Sequence, residues 1–246
     1  MNRYRHAAVL HSSRLPAARR ASIPAAMKLI IGNKAYSSWS LRGWLACKQS
    51  GIPFEEVVVP LYDADWDRRR EGDEFAPSSG KVPILWDGEA VVWDSLAIME
   101  YLAEKTERAK FWPEDDIARA MARSMAAEMH SSFTALRRKH SMNIRQVFPP
   151  KRPDDDVLAD IGRIMELWAQ ARARFGGTGN FLFGEFGAAD MMFAPVVTRL
   201  VTYGLPIARF ATGYMDAVLQ HPFMQDWIAG AQEEEWVIEQ FEQPVA

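Results

Sequence analysis

Residues 27–42 read MKLIIGNKAYSSWSLR and establish the fold class of the first half of the chain. The apolar run at 29–31 is typical of a buried β-strand. A serine-rich turn follows, after which apolar residues recur at helical spacing as far as Ser50 and Gly51, where glycine suits the left-handed end of a helix. The stretch therefore predicts a strand, a turn and a helix in direct succession.

The next segments complete a small α/β unit. Residues 54–59 (FEEVVV) are typical of a second strand, which the intervening helix makes parallel to the first. Residues 62–79 are polar and irregular, so we expect a solvated helix or loop there. Residues 82–93 (VPILWDGEAVVW) place Asp-Gly between two apolar runs, which predicts a β-hairpin. Ser95 is then a natural N-cap for a further helix.

The second half of the chain shows helical patterns only. Residues 111–115 interrupt the pattern between the halves, with a proline suited to a helix start. An acidic run at 154–156 marks another helix start, because it complements the helix dipole. We expect five helices, the second strongly amphipathic and the third buried on all sides; they cover 116 to about 145, 157–175, 188–201, 207–219 and 223–231.

This order predicts an α/β thioredoxin-like N-terminal domain plus an all-α C-terminal domain. We place the domains at 27–107 and 115–246, joined by a linker over 108–114. Residues 1–26 hold five arginines and no acidic residue. They predict a disordered tail or a wrongly assigned start, with a targeting peptide as the alternative.

Composition and charge exclude several classes of function. The chain of 246 residues has a net charge of −3, which is too balanced to favour a nucleic-acid partner. It contains no run of about 18 apolar residues, so we expect no membrane-spanning helix. Cys47 is the single cysteine, which fits a reducing compartment, and no Cys/His cluster suggests a metal site. We therefore expect a cytoplasmic protein without a metal.

The turn Ser37-Ser38-Trp39-Ser40 is the first candidate for chemistry. Strand-to-helix turns lie where α/β sheets bind ligands, and the free N–H groups of a helix N-terminus favour an anion such as a thiolate. Lowering a thiol pKa by about two units takes roughly 2.7 kcal/mol. One charge-assisted hydrogen bond of about 1.5–3 kcal/mol can supply this. A serine hydroxyl could therefore activate a bound thiol as a donor; the alternative is that these serines only cap the helix.

Two further motifs favour a bound peptide. A cis bond at Val82-Pro83 would expose the backbone of Val82 for strand-like pairing with an extended peptide. The alternative is an ordinary proline at the start of a strand. Asp94 could bind an ammonium group, and Ser95 with the helix end could bind a carboxylate. The alternative for this pair is again a helix cap.

In this order and spacing, the motifs resemble the glutathione transferase superfamily. Residues 76–85 (APSSGKVPIL) are similar to its pattern NPxGKVPxL, and residues 94–102 (DSLAIMEYL) are similar to ESxAIxxYL. Residues 181–190 and 221–227 resemble parts of its helical half. The resemblance extends from Met27 to the C-terminus and implies the two-domain architecture of that family.

The resemblance also implies a reduced-glutathione site in the first domain. The turn is nearest in motif to the zeta class, one of the serine-type classes. There the first serine faces the glutathione sulfur, which implies this role for Ser37, with Ser38 as the next candidate. The positions implied to hold the rest of glutathione, with a cis bond at the proline, are Lys81, Val82, Pro83, Asp94 and Ser95.

Three positions depart from the zeta pattern. Trp39 stands where the zeta class has cysteine, and Asp94 replaces the commoner glutamate. Gly187 replaces a Ser/Thr in the capping segment and gives up the side-chain oxygen of a capping box. These departures leave the reaction open between transferase and isomerase.

The leading interpretation is a glutathione transferase that joins the glutathione thiolate to an apolar electrophile in detoxification. Trp39 and residues near 129–136 are then expected to form the wall of the substrate site. One alternative is a glutathione-dependent isomerase similar to maleylacetoacetate isomerase, with Arg42 holding a substrate carboxylate unless it faces solvent. Another is a non-catalytic interaction module. We interpret His130 and His140 as surface or packing residues, and the family implies a homodimer.

Overall fold

The computed structural model describes residues 27–242; the expectations for residues 1–26 lie outside the described residues. The first half forms a four-stranded sheet with three α-helices. In chain order the elements are β1 Met27–Gly32, α1 Ser38–Ser50, β2 Phe54–Val59, α2 Trp66–Arg70, β3 Ile84–Asp87, β4 Ala90–Trp93 and α3 Ser95–Lys105.

The sheet places β1 at its centre, in the order β2-β1-β3-β4. β1 runs parallel to β2 and antiparallel to β3, and β3 and β4 form the hairpin. Leu29 and Ile31 pack into the main core, whereas Ile30 packs on the opposite face with Trp66 and Ile84. Both faces of β1 are therefore covered, which explains its unbroken apolar run. The predicted strands are confirmed.

Local signals at the ends of elements are confirmed with one exception. Gly51 ends α1 in the left-handed conformation with φ 72°, and Gly88 turns the hairpin with φ 62°. The irregular stretch 62–79 contains α2 and a 3₁₀ turn at Ala76–Ser78. Ser95 is not the N-cap of α3, because the Asp94 carboxylate takes that role by accepting from the Leu96 N–H at 2.9 Å.

The second half consists of helices, as expected, and the predicted fold class is confirmed. The domain limits themselves stay a prediction. The helices are α4 Asp116–Ser131, α5 Thr134–Lys139, α6 Asp155–Phe175, α7 Ala188–Thr202, α8 Ala211–Gln220 and α9 Pro222–Glu233.

Two of the expected helices have different limits. The long helix over 116–145 breaks after Ser131, because Phe133 adopts a left-handed φ of 58°. The fourth helix begins at Ala211 rather than 207, since Ile207 and Phe210 are exposed and bury no apolar face. The break after α4 matters for function, because it turns the following residues toward the serine turn.

The helical half packs against α1 and against the segment before the serine turn. α1 packs against α7 in one continuous core, and Arg42 Nε of α1 donates to the Met192 carbonyl of α7 at 2.9 Å. Trp227 Nε1 of α9 donates to the Lys34 carbonyl at 3.0 Å. No helix within residues 27–242 is long and apolar enough to cross a membrane.

Candidate functional site

A cavity of about 800 Å³ lies at the carboxyl end of β1. Its wall is formed mainly by the turn 36–39, the segment 78–83 before β3 and residues 93–95 between β4 and α3. We call it the serine cavity. It brings together all but one of the predicted site residues, namely Ser37, Ser38, Trp39, Lys81, Val82, Pro83, Asp94 and Ser95.

Hydrogen bonds between two side chains, Ser37 and Ser40, and backbone N–H groups hold the serine turn. Ser37 is the N-cap of α1: its Oγ accepts from the Ser40 N–H at 3.3 Å and donates to Ser40 Oγ at 2.8 Å. Ser40 Oγ in turn accepts from the Gly32 N–H at 2.9 Å. The capping side chain is therefore Ser37, and Ser40 instead ties the turn to β1. Because hydroxyl hydrogens rotate, Ser40 can also donate to Ser37 and release the Ser37 proton for a ligand.

Ser38 is the first residue of α1 and contacts the helical half. Its Oγ accepts from Arg199 Nη2 at 3.3 Å. The other bonds of the Arg199 guanidinium go to the carbonyls of His140 and Pro195, at 2.8 and 2.9 Å. Burial lowers the pKa of Arg199 to about 10, so this side chain is still a cation at neutral pH. A fixed positive charge therefore lies beside Ser38.

The Val82-Pro83 bond is cis, as expected. Val82 lies beyond the end of the β1–β3 register, which stops at the Ile30–Ile84 pair. α1 approaches this turn closely, since a Cβ added at Gly43 would lie 2.8 Å from Pro83 Cγ. The glycine therefore lets the serine turn and the proline turn share one cavity.

The Asp94-Ser95 pair carries backbone strain and an unpaired hydroxyl. Asp94 has a φ of 72°, which is uncommon for a residue with a side chain and costs about 1–3 kcal/mol. Tyr62 and Ser79 also have positive φ and line the same cavity. Ser95 Oγ is buried and has no hydrogen-bond partner among residues 27–242. A buried hydroxyl of this kind at a helix N-terminus is suited to an anionic ligand group.

His130 packs against Trp39, in agreement with the expectation, and it also lines the serine cavity. Its Nε2 lies 3.5 Å from Asp94 Oδ2, and its ring packs edge-on against Trp39 with a centroid distance of 5.2 Å. The ring of Trp39 also lies under two guanidinium groups, 4.9 Å from Arg42 Cζ and 4.7 Å from Arg137 Cζ. Trp39 thus connects the α/β half to the end of α4 and to α5. His140 packs on Tyr203, as expected.

Arg42 neither faces solvent nor lines the cavity. It is fully buried, and its Nη1 and Nη2 have no hydrogen-bond partner in the described part of the chain. Burial, followed by the nearby charges of Arg199 and Arg137, lowers the pKa of Arg42 well below its usual value, with Asp94 opposing this effect. Direct contact between Arg42 and a substrate carboxylate would therefore require rearrangement.

A second cavity of about 360 Å³ adjoins the first. We call it the arginine cavity; it shares Tyr36, Ser38, Trp39 and Phe241 with the serine cavity and adds Thr134, Arg137, Arg138, Ser141, Met142 and Arg199. The Tyr36 hydroxyl donates to Glu242 and accepts from Arg145, so its proton is already engaged.

Sequence reasoning missed Arg137, Arg199 and Phe241. A signal existed for Arg199, which is an isolated cation in the almost wholly apolar run 188–201. Phe241 offered none, because its position depends on the path of the C-terminal segment across the molecule.

Comparisons with known proteins agree with this architecture. The family "Glutathione S-transferase, N-terminal domain" matches residues 36–105, and "Glutathione S-transferase, C-terminal domain" matches residues 125–230. A dichloromethane dehalogenase of Methylorubrum extorquens is 44% identical over 61 residues, which are 25% of this chain and only 21% of that relative. A zeta-class glutathione S-transferase of Euphorbia esula is 29% identical over 68% of this chain and 73% of its own.

A maleylacetoacetate isomerase of Pseudomonas aeruginosa is 25% identical over 74% of this chain and 84% of its own. Among solved structures, a glutathione transferase homologue from Burkholderia (GL BGR1) with bound glutathione superposes with a TM-score of 0.63. The match covers 86% of this chain and all of that one, at 21% identity. Both domain families, in this order and on this fold, show that the chain belongs to the glutathione transferase superfamily.

Proposed function

We propose that the protein is a glutathione transferase that binds glutathione in the serine cavity and activates its thiol with the Ser37 hydroxyl. One observation carries the proposal: the serine turn, the Val82-Pro83 turn and the Asp94-Ser95 helix start all line one cavity. Each motif alone has a purely structural explanation. Their convergence supports a single site for an extended tripeptide.

The charges around the serine cavity complement those of glutathione. Glutathione carries two carboxylates and one ammonium group at neutral pH. Within residues 27–242, Asp94 supplies the carboxylate side chain that lines the cavity, and Arg70, Lys81 and His130 supply the basic side chains. We assign the ammonium group to Asp94, one carboxylate to Ser95 and the start of α3, and the backbone of the cysteinyl residue to Val82.

Two features favour Ser37 over Ser38 as the thiol activator. Ser37 lines the serine cavity but not the arginine cavity. Ser38 lines both cavities, and its Oγ accepts a hydrogen bond from Arg199. Ser37 Oγ accepts from the Ser40 N–H, which polarises its hydroxyl and makes it a better donor. In this assignment Ser37 donates to the thiolate, and Ser38 contacts the second substrate.

The chemistry requires no nucleophile from the protein. The thiol of glutathione loses its proton to solvent, and the Ser37 hydroxyl and the start of α1 stabilise the resulting thiolate. The sulfur electron pair then forms a bond to an electrophilic carbon, and the leaving group departs with its own electron pair. In the isomerase alternative the same sulfur adds to an unsaturated carbon and later leaves, so that glutathione is regenerated.

A panel of substrates tests this proposal. Calorimetry with reduced glutathione tests binding, and wild-type protein is then assayed with aryl halides, epoxides and maleylacetoacetate. Conjugation of a halide or an epoxide supports the transferase, and turnover of maleylacetoacetate without loss of glutathione supports the isomerase. Absence of glutathione binding would contradict both and favour a non-catalytic interaction module.

A further inference from the structure

The arginine cavity holds positive charge that no described carboxylate balances. Arg137, Arg138 and Arg199 line it, and Arg42 lies behind Trp39. None of the ion pairs within residues 27–242 includes any of these four side chains. The cluster is therefore not a structural salt-bridge network.

The nearby acidic side chains are engaged elsewhere. Asp94 faces His130, and Glu242 accepts from Tyr36 and from Asn143. Asp154 and Asp156, at the start of α6, pair with Lys139 of α5, and the Lys139 side chain does not line the cavity. These acids therefore leave the positive charge of the arginine cavity uncompensated.

Burial makes this arrangement unfavourable without an anion. Arg199 is only 4% exposed and Arg42 is fully buried. A buried charge without a counter-ion is strongly destabilising, and like charges nearby add repulsion. An anion that entered the cavity would relieve both effects.

The cavity also has the geometry of a small-ligand site. Its volume of about 360 Å³ fits a ligand of modest size. Backbone carbonyls position both main guanidinium groups: those of His140 and Pro195 hold Arg199, and those of His130 and Ser132 hold Arg137. Planar guanidinium groups fixed in this way match the geometry of a carboxylate.

The ring of Trp39 is poorly suited to stacking with an uncharged aromatic substrate. Its ring is already covered by the guanidinium groups of Arg42 and Arg137 and contacted by His130. Its role is better described as holding Arg137 at the cavity. Trp39 as part of the wall of the substrate site stays a prediction, and the side chains around its ring are charged.

We propose that the arginine cavity binds a carboxylate group carried by the second substrate, so that the preferred electrophile is an anion. The inference rests on the proposed function, because Ser38 and Trp39 line both cavities and so place the carboxylate next to the glutathione site.

Binding of unreactive probes tests the site directly. Calorimetry at saturating glutathione compares para-nitrobenzoate with para-nitrobenzamide, which has the same shape without the charge. We expect the carboxylate to bind at least about 10-fold more tightly, from one charge-assisted contact, and the preference to weaken with added salt. Equal affinities would overturn the proposal.

Matched variants test which side chain causes the preference for the carboxylate probe over the amide probe. Arg137→Gln should remove most of the preference for the carboxylate, and Arg137→Lys should retain part of it. Lys139→Gln is the control, because it removes the same charge from the same helix outside the cavity. Arg138→Gln, at an exposed position, gives a second test should Arg137→Gln fold poorly. A loss of affinity in Arg137→Gln that is equal for both probes would overturn the assignment.

Conjugation separates this inference from the proposed function. The reactive probes are para-chloro-meta-nitrobenzoate and its amide, from which the glutathione sulfur displaces chloride. Faster conjugation of the carboxylate, with the preference lost in Arg137→Gln, supports both statements. Equal rates and equal binding contradict the carboxylate site and leave the transferase intact. Carboxylate-selective binding in a protein that conjugates none of the electrophiles tested contradicts the transferase and leaves the carboxylate site intact.

Discussion

The α/β half supplies its site residues as short contiguous segments, whereas the helical half supplies single residues from separate helices. The serine turn, residues 78–83 and residues 93–95 are each short local segments that adjoin a strand. Arg137 and Arg199 instead come from α5 and α7 and meet only because these helices pack beside the serine turn. The comparison indicates that the glutathione side of the site depends on local motifs, and the second-substrate side depends on packing.

The first prediction concerns the packing of the helical half and has the largest expected effect. Asp190 is buried at the start of α7 and accepts from the N–H groups of Leu182 and Gly187, at 3.1 and 2.9 Å. Burial raises its pKa from 3.8 to about 6. Between these two values the folded protein holds a proton that the unfolded chain has released, so the contribution of Asp190 to stability falls as pH rises through this window.

The measurement is the free energy of unfolding of wild type and Asp190→Asn across this pH range. The difference between them should change by up to about 3 kcal/mol, following one proton and a shift of about two pKa units. A difference that is constant with pH would show that Asp190 is not the titrating group. Glutathione affinity should be the same in both proteins if the glutathione side of the site depends on local motifs of the α/β half and not on the packing of the helical half.

The second prediction concerns thiol activation. Ser37→Ala removes the proposed donor and should lower kcat/KM by about 10- to 150-fold, as expected for a charge-assisted hydrogen bond of about 1.5–3 kcal/mol. The pKa of bound glutathione, followed by thiolate absorbance, should rise by about one to two units. The matched variant Ser38→Ala should leave that pKa unchanged. A rise in Ser38→Ala alone would reassign the role to Ser38.

The third prediction concerns the buried hydroxyl of Ser95. Ser95→Ala should weaken glutathione binding by about 10-fold, because one charge-assisted hydrogen bond to a carboxylate, about 1.5 kcal/mol at the lower end of the range, is lost while the N–H groups at the start of α3 remain. The fold should be retained, since this hydroxyl has no partner within residues 27–242. Calorimetry measures the affinity. Unchanged affinity for glutathione would show that Ser95 does not belong to the glutathione site. That result would not bear on the role of Ser37.

The smallest expected effect concerns Gly187, where local and packing arguments disagree. A serine there would complete a capping box with Asp190 and add about 1 kcal/mol of stability by local rules. A Cβ at Gly187 would, however, lie 2.8 Å from the Phe111 carbonyl oxygen. Because backbone must move to relieve that contact, we expect Gly187→Ser to lose about 1 kcal/mol. Thermal unfolding, with Gly187→Ala as the control, decides the sign; a more stable serine variant would favour the local rule.

Much of the α/β half could be predicted from the sequence because its signals act over a few residues. The apolar run of β1, the Asp-Gly turn and the glycine after α1 each appear at the predicted place. The cis bond at Val82-Pro83 is different, because the residues alone leave it open and the resemblance to the family implies it. The N-cap of α3 was misassigned by one residue because Asp94 and Ser95 are both good capping residues, and only the backbone decides between them.

The helical half was less predictable for a physical reason. Helical periodicity indicates which face of a helix is buried, but not which helix lies against it. The break after Ser131 depends on the left-handed backbone of Phe133, which has no local sequence signal. That break brings Arg137 of α5 to Trp39.

The sequence by itself determined the family, the order of the elements and the segments that meet at the serine cavity, because these depend on spacing along the chain. Only the tertiary structure decided that Arg42 is buried away from the cavity and that Arg199 reaches Ser38. The charge of the arginine cavity is likewise visible only in three dimensions, since Arg199 is far in sequence from Arg137 and Arg138, and the absence of a described counter-ion is a property of their packing.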